Sequence, residues 1–310
     1  MRVLRRLLWR VLAGIGVLWG TATLIFVVMN VTPGDTAITI LGGPDALPTP
    51  QTIAAVHAEY GLDQPLYVQY LHYLWRLLHG NLGESYRLSL PVSRLIGQQI
   101  GATAELGCTA MVVGFATAIT IALLTAKRGK FQSFMFDVGE LTAASVPPFV
   151  TGLLLLLAFS FSLHFFPASS THGWTSIILP VATLALPIVA VVSQVLRREL
   201  DEILEQPFIV TARARGLSEA GVRLGHALRH ALIPVLTISG MLFTNLLSNA
   251  VVIETVFNRQ GVGRLAADAT TNRDIPLALG VVLLAATINV LMNIIIDSAY
   301  AVIDPRIDRK

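Results

Sequence analysis

The chain has 310 residues, of which 54% are hydrophobic and only 13% charged; an ordinary soluble domain carries about 25% charged residues. With a mean hydropathy of +0.68 and a formal net charge of +3, the polar surface is too small to solvate a globule of this length, so a bilayer is the expected solvent. A single cysteine, Cys108, excludes an internal disulfide and a cysteine-based metal centre.

In chain order, Arg2, Arg5, Arg6 and Arg10 precede an apolar run that meets no formal charge until Asp35. A secretory signal has this layout too. The run to Val31 is longer than a signal's apolar region, however, and Thr32-Pro33-Gly34-Asp35 offers no small-residue cleavage site. An uncleaved first span near 9–30 is therefore expected, so that residues 1–30 form a terminus and one membrane helix. Residues 31–100 form a soluble segment long enough to need structure of its own. Thr49-Pro50 followed by Gln51 to Tyr60 reads as a short helix with its cap and first-turn proline. Tyr67 to Leu78 reads as another, with Leu71, Leu74, Trp75 and Leu78 on one face. That face suits a membrane surface, a partner, or packing within the segment itself.

Residues 101–310 hold four further charge-free windows: Leu106 to Ala126, Leu141 to Leu196, Ala231 to Ile253 and Ile275 to Ile296. Since about 20 apolar residues cross a bilayer, the second window has room for two spans. It breaks at His164 to Trp174, where His164, Pro167, Ser169, Ser170, His172 and Gly173 form a turn-rich stretch. The expected spans lie near 102–126, 138–162, 175–197, 232–255 and 277–300, making an all-α polytopic protein of about six membrane helices. Cys108 is expected to pack inside the second. Pro147-Pro148 in the third span, and Pro180 with Pro187 in the fourth, are expected to kink their helices.

Between the fourth and fifth spans, residues 198–231 read as a compact helical element. Leu200, Ile203, Leu204 and Phe208 recur at helical spacing, and Pro207 is expected to end that helix. A short helix through Ile209 to Arg215 follows, and Gly216 suits a left-handed stop. Ser218 then caps the next helix, which carries His226, Arg229 and His230. Of the 22 Lys and Arg residues, only Arg76, Arg87, Arg94, Arg259, Arg264 and Arg273 fall on one side of these spans. The excess on the other side places both termini in the cytoplasm. No basic, aromatic-interleaved patch supports nucleic-acid binding.

Thr211-Ala212-Arg213-Ala214-Arg215-Gly216-Leu217, followed by His226-Ala-Leu-Arg-His-Ala-Leu-Ile-Pro234, resembles the coupling loop of ABC-importer permeases. The nearest subgroup is the dipeptide/oligopeptide/nickel type. Gly61-Leu-Asp-Gln-Pro-Leu-Tyr-Val-Gln-Tyr70 and Gly80-Asn-Leu-Gly83 are similar to its outer-segment signatures. Ile253-Glu-Thr-Val-Phe257, Gly261-Val-Gly-Arg264, Asn272-Arg-Asp274 and Asp304-Pro-Arg306 follow in the order that subgroup shows. The chain departs from the pattern where Val210-Thr211-Ala212 replaces Glu-Ala-Ala, where Val210 stands for a usually basic residue, and where Gln260 stands for a frequent proline.

The resemblance implies a type I ABC-importer permease in the bacterial inner membrane. Its implied partners are a second homologous permease subunit, two ATPase subunits and a substrate-binding protein on the outer face. Short peptides are the implied cargo, with nickel or a metal chelate as the alternative. It also implies that Phe208, Ile209, Thr211, Ala212, Arg213, Ala214, Arg215, Gly216 and Leu217 couple to an ATPase. Ala212 and Ala214 would permit close approach there, and Arg213 and Arg215 would reach acidic groups or carbonyls. ATP and Mg would be used by the partners, not bound by this chain. In agreement, the sequence holds no Gly-x4-Gly-Lys-Ser/Thr phosphate loop; Gly129-Lys130 is followed by Phe131 and lacks the upstream glycine.

Within the spans, Asn245 and Asn249 share one helix face, as do Asn289, Asn293 and Asp297. Such residues either line a pathway or hold helices together. Glu254 is the best placed carboxylate for a pathway, whereas Glu105 and Glu140 are expected to be solvated at span ends. His226 and His230 are a helical turn apart and suit a coupling surface better than a metal site; His57, His72 and His79 do not cluster by spacing. An ion-coupled secondary transporter would need mid-span carboxylates and internal repeats. An intramembrane enzyme would need a Ser/His pair or His-Glu-x-x-His within the spans. Neither signature is present.

Overall fold

A computed structural model describes residues 2–31, 37–38, 48–60, 63–169 and 173–303. The described helices are α1 (Arg2–Val31), α2 (Pro50–Tyr60), α3 (Leu66–Leu78), α4 (Val92–Thr125), α5 (Lys130–Ser145) and α6 (Pro148–Leu155). They continue with α7 (Ile178–Ile203), α8 (Pro207–Ala214), α9 (Glu219–Val222), α10 (Leu228–Val256), α11 (Val262–Thr271) and α12 (Ile275–Ile303). Expected features at Thr32-Pro33-Gly34-Asp35, Gly61-Leu62, Ser170, His172 and Asp304-Pro305-Arg306 lie outside the described residues.

Five helical runs are long and apolar enough to cross a membrane: Leu8–Val31, Val92–Thr125, Trp174–Ile203, Glu219–Val256 and Ile275–Ile296. The expected third span is not one kinked helix. It is a bent pair, Phe131–Ser145 and Pro148–Ser162, meeting at 100°. Val146 is extended and Pro147 follows it. Two successive prolines remove two backbone donors and push the preceding residue out of the helical region, so α5 must stop and a new helix begin. The fourth span stays continuous through both of its prolines. Pro180 falls in the first turn of α7, where a missing N–H costs nothing, and Pro187 is absorbed in the interior. Pro207 does not end a helix either; it is the first residue of α8, the position where its fixed φ is already helical.

Compact packing divides the chain into two units. The larger comprises residues 102–263 with the last part of α12. In it α7 is the central helix, packed against α5, α6 and α10, and its buried face includes Leu184, Ile188, Val192, Leu196 and Leu200. Gly114 lets α4 approach that face, because a Cβ there would come within 2.9 Å of Ile188. Cys108 does not pack inside: Leu106 and Ala110 face inward, and Cys108, between them, is exposed.

The second unit comprises residues 4–101 and 264–291. Thr49 caps α2 by accepting from the Thr52 backbone N–H at 3.3 Å. Gly80 and Gly83 both take left-handed φ values, +73° and +88°, and the Asn81 side chain accepts from the Gly83 N–H at 2.9 Å. These contacts explain the Gly80-Asn-Leu-Gly83 motif as a turn that only glycine closes without strain. Asp274 is buried and accepts from the Ser85 hydroxyl and the Tyr86 N–H, tying the turn region to the start of α12.

Candidate functional site

The short helix α8 stands between two span-length runs. Leu204 ends the α7 region with its side chain buried, and α8 turns inward at Ile209 and Ala212, which are 0% and 4% exposed. These two residues lie three apart and so share one face. They are therefore clamps to the core, not contact points. Ala212 cannot serve the close approach expected from its size. The outward face carries Phe208, Val210, Thr211 and Ala214, all exposed, and continues into Arg215 and Leu217.

Gly216 takes φ +83°, and its N–H donates to the Arg213 carbonyl at 2.9 Å. The expected left-handed stop is thus in place. Ser218 then caps α9 by accepting from the Gly221 N–H at 3.2 Å. Arg213 is turned to its own chain: Nε donates to Glu219 at 2.7 Å, and this hydrogen bond raises the guanidinium above its usual range. Arg215 is the cation that the outward face presents. The Phe208 ring, partly exposed, meets the His230 ring edge-on at 5.3 Å. Beyond α9, a π-turn at Arg223–Ala227 leads into α10. From this turn Arg223 donates to the Leu123 and Ala126 carbonyls at the end of α4, at 2.6 and 3.3 Å. Lys127, just past that end, pairs with Glu205, whose carboxyl is held below the usual range by the Lys127 ammonium.

One cluster escaped sequence reasoning. Arg197, 4% exposed near the end of α7, donates to Glu140 at 2.6 Å and to Asp137, both on α5. Glu140 also accepts from Ser193 at 2.8 Å. Glu140 is therefore not a solvated span-end residue. It is buried because a cation and a hydroxyl compensate it, as a buried carboxylate requires. The partners lie more than 50 residues apart, so no local spacing marks them. The one hint was an arginine directly after a long charge-free window.

The expected pathway residues separate. Glu254 is fully buried; it accepts from Thr103 at 2.6 Å, and a Cβ on Gly261 would fall 2.3 Å from its carboxylate. It is held inside its own subunit, packed against Gly261 and bonded to Thr103. Thr103 in turn accepts from the Val262 N–H at 2.8 Å. Nearby, Arg259 bonds Glu105 at 2.6 Å, so Glu105 has an ionic partner although its side chain is exposed. Asn245 is exposed, and Asn249 donates back to its carbonyl at 2.8 Å. Asn289 donates to the Ala285 carbonyl at 3.0 Å. Asn293 is exposed, with its side-chain oxygen beside Gly240 of α10. Among the described residues no group of three His, Cys, Asp or Glu is placed to hold a metal.

Residues 118–309 match the family described as binding-protein-dependent transport system inner membrane component, and residues 3–104 match its N-terminal counterpart. A putative peptide transport system permease protein of Brucella suis is 36% identical over 97% of this chain and 98% of its own length. A probable peptide ABC transporter permease protein of Sinorhizobium fredii is 34% identical over the same shares. A glutathione transport system permease protein of Salmonella typhimurium is 37% identical over 99% of this chain and its whole length.

Proposed function

The chain belongs to the inner-membrane components of binding-protein-dependent transport systems and is a multi-pass ABC-importer permease, and from that premise we propose that it carries short peptides and takes its driving force through α8. The cargo reading rests on the relatives: those from Brucella suis and Sinorhizobium fredii are named peptide permeases, and the Salmonella relative a glutathione permease. None of these names favours the nickel alternative. ATPase subunits and a binding protein are the partners such a subunit works with. A second, homologous permease subunit completes the pathway, ATP and Mg act on the ATPases, and both termini lie in the cytoplasm.

The observation that carries the coupling reading is the division of α8. Ile209 and Ala212 lock it to the core, while Phe208, Val210 and Thr211 form an exposed, mostly apolar face bordered by Arg215. An apolar patch with a polar rim is what a partner's groove buries. Where the subgroup offers a basic residue, Val210 offers apolar area, so contact here relies on burial with Arg215 as the ionic element. Asn245, Asn249, Asn289 and Asn293 are the polar candidates for the pathway in this reading; Glu254, buried and bonded to Thr103, is given a packing role instead.

Deletion of the gene in a strain that requires a di- or oligopeptide tests the cargo. Loss of growth on the peptide, with cellular nickel unchanged, is expected. Intact peptide uptake with a fall in cellular nickel would replace the reading by its alternative.

A further inference from the structure

The helix α3 packs against the far end of α1. The Tyr70 hydroxyl and the Thr23 hydroxyl hydrogen-bond at 2.6 Å, and Phe26 meets Tyr70 and Tyr73 with ring centroids 5.2 and 5.7 Å apart. These contacts fix a depth. The α1 span ends at Val31, and Thr23 lies eight residues earlier, about 12 Å along the helix. The hydrocarbon half-thickness is about 15 Å. Tyr70 is thus well inside the acyl region, and because Phe26 meets Tyr73 and Met29 lines the same cavity as Arg76, α3 runs alongside the last turns of α1 and brings Arg76 out to the depth of the headgroups, whichever side of the membrane it occupies.

Its other face agrees with that depth. Tyr67, Leu71, Trp75 and Leu78 are all more than 60% exposed. An apolar stripe bearing Tyr and Trp is the usual signature of an interfacial helix. Beside α3 is a cavity of about 180 Å³, whose apolar wall includes Ile25 and Met29 of α1 and Leu279 and Leu283 of α12. It exceeds the ~150 Å³ engineered apolar cavity that admits benzene. Two residues of opposite charge, Arg76 and Glu84, line it. Tyr73 is at the same wall; burial pushes its phenol up to about 12, so it stays protonated and can donate a hydrogen bond.

We propose that this cavity binds an aminophospholipid of the surrounding membrane, its phosphate at Arg76, its ammonium at Glu84 and part of one acyl chain between Met29 and Leu283. Three independent observations meet in that assignment. The depth of α3 makes lipid the molecule always present there. The apolar wall fits a chain. The two opposite charges match a zwitterionic headgroup, and inorganic phosphate would have no use for the apolar wall.

The test is mass spectrometry of lipids retained by the assembled transporter, extracted into polymer nanodiscs and then stripped with mild detergent. Wild type is expected to retain phosphatidylethanolamine enriched severalfold over the bulk membrane. Arg76→Ala and the cavity-filling Leu279→Trp should each abolish the enrichment, and Arg76→Lys should restore part of it. Glu84→Gln should shift the retained lipid toward anionic species without losing it. A retained pool with bulk composition in wild type overturns the proposal. So does an enrichment that survives Leu279→Trp, or one displaced by millimolar inorganic phosphate, which would mark an anion site only. If Arg76→Ala fails to reach the membrane, Leu279→Trp decides alone.

Discussion

Arg197 on α7 and Glu140 on α5, the first half of the bent third span, meet at 2.6 Å with both side chains more than 90% buried. The pair fastens α5 to the part of α7 that leads directly into α8. Removing one partner leaves an uncompensated charge, which costs about 3–5 kcal/mol. Arg197→Leu and Glu140→Leu are therefore each expected to lower the thermal midpoint of the detergent-solubilised transporter sharply, while the double variant recovers much of the loss. A double variant no better than the singles would show that the pair is not the coupled unit.

The division of α8 separates two tryptophan substitutions. Ala212→Trp places a large ring in a core position and is expected to reduce folded protein in the membrane by overpacking. Val210→Trp, on the 59% exposed face, should leave insertion and folding intact and weaken assembly with the ATPase or uncouple hydrolysis from uptake. Normal coupling in Val210→Trp would count against the docking face.

The glycines around Glu254 permit a graded comparison. Gly261→Ala sets a Cβ 2.3 Å from the Glu254 carboxylate, and Gly263→Ala sets one 2.5 Å from the Val251 Cα. Both are expected to abolish stable protein. Gly216→Ala meets open space at φ +83°, so only left-handed strain opposes it, about 1–2 kcal/mol. Membrane abundance in the order wild type, Gly216→Ala, then the other two is the expected result. Equal abundance of all three variants would remove the steric account.

The orientation proposed from the charge bias is testable with single cysteines in a Cys108→Ala background. Gln51→Cys should react with an impermeant reagent in spheroplasts, and Arg128→Cys only after lysis. The reverse pattern would invert the topology.

Why some of this was legible in the sequence, and some not, follows from range. Gly216, Ser218 and Thr49 act within four residues, so local chemistry predicted them, whereas the Gly80 turn showed in the sequence only as a motif of the resembled subgroup. The spans were visible because apolar length is a bulk property. Ala212 was misread because an alanine's size permits contact on either side of a helix, and which side it faces depends on what Ile209 packs against. Glu254 and Glu140 were misread because a carboxylate near a span end looks the same whether water or a distant Thr103 or Arg197 satisfies it.

The two ends of the long run Glu219–Val256 are held to the same neighbour. Arg223 grips the carbonyls of Leu123 and Ala126 near one end, and Glu254 accepts from Thr103 near the other. Thr103 and Leu123 are some 30 Å apart along α4, so the two antiparallel helices are bolted together across nearly a membrane's thickness. Such a frame resists shear: a tilt of a few degrees applied at its foot, beside α8, arrives at the far end as a displacement of a few ångström and not as local bending. Under the coupling proposed for α8, a push at that foot would reach the loop around Gly261 as a rigid-body shift.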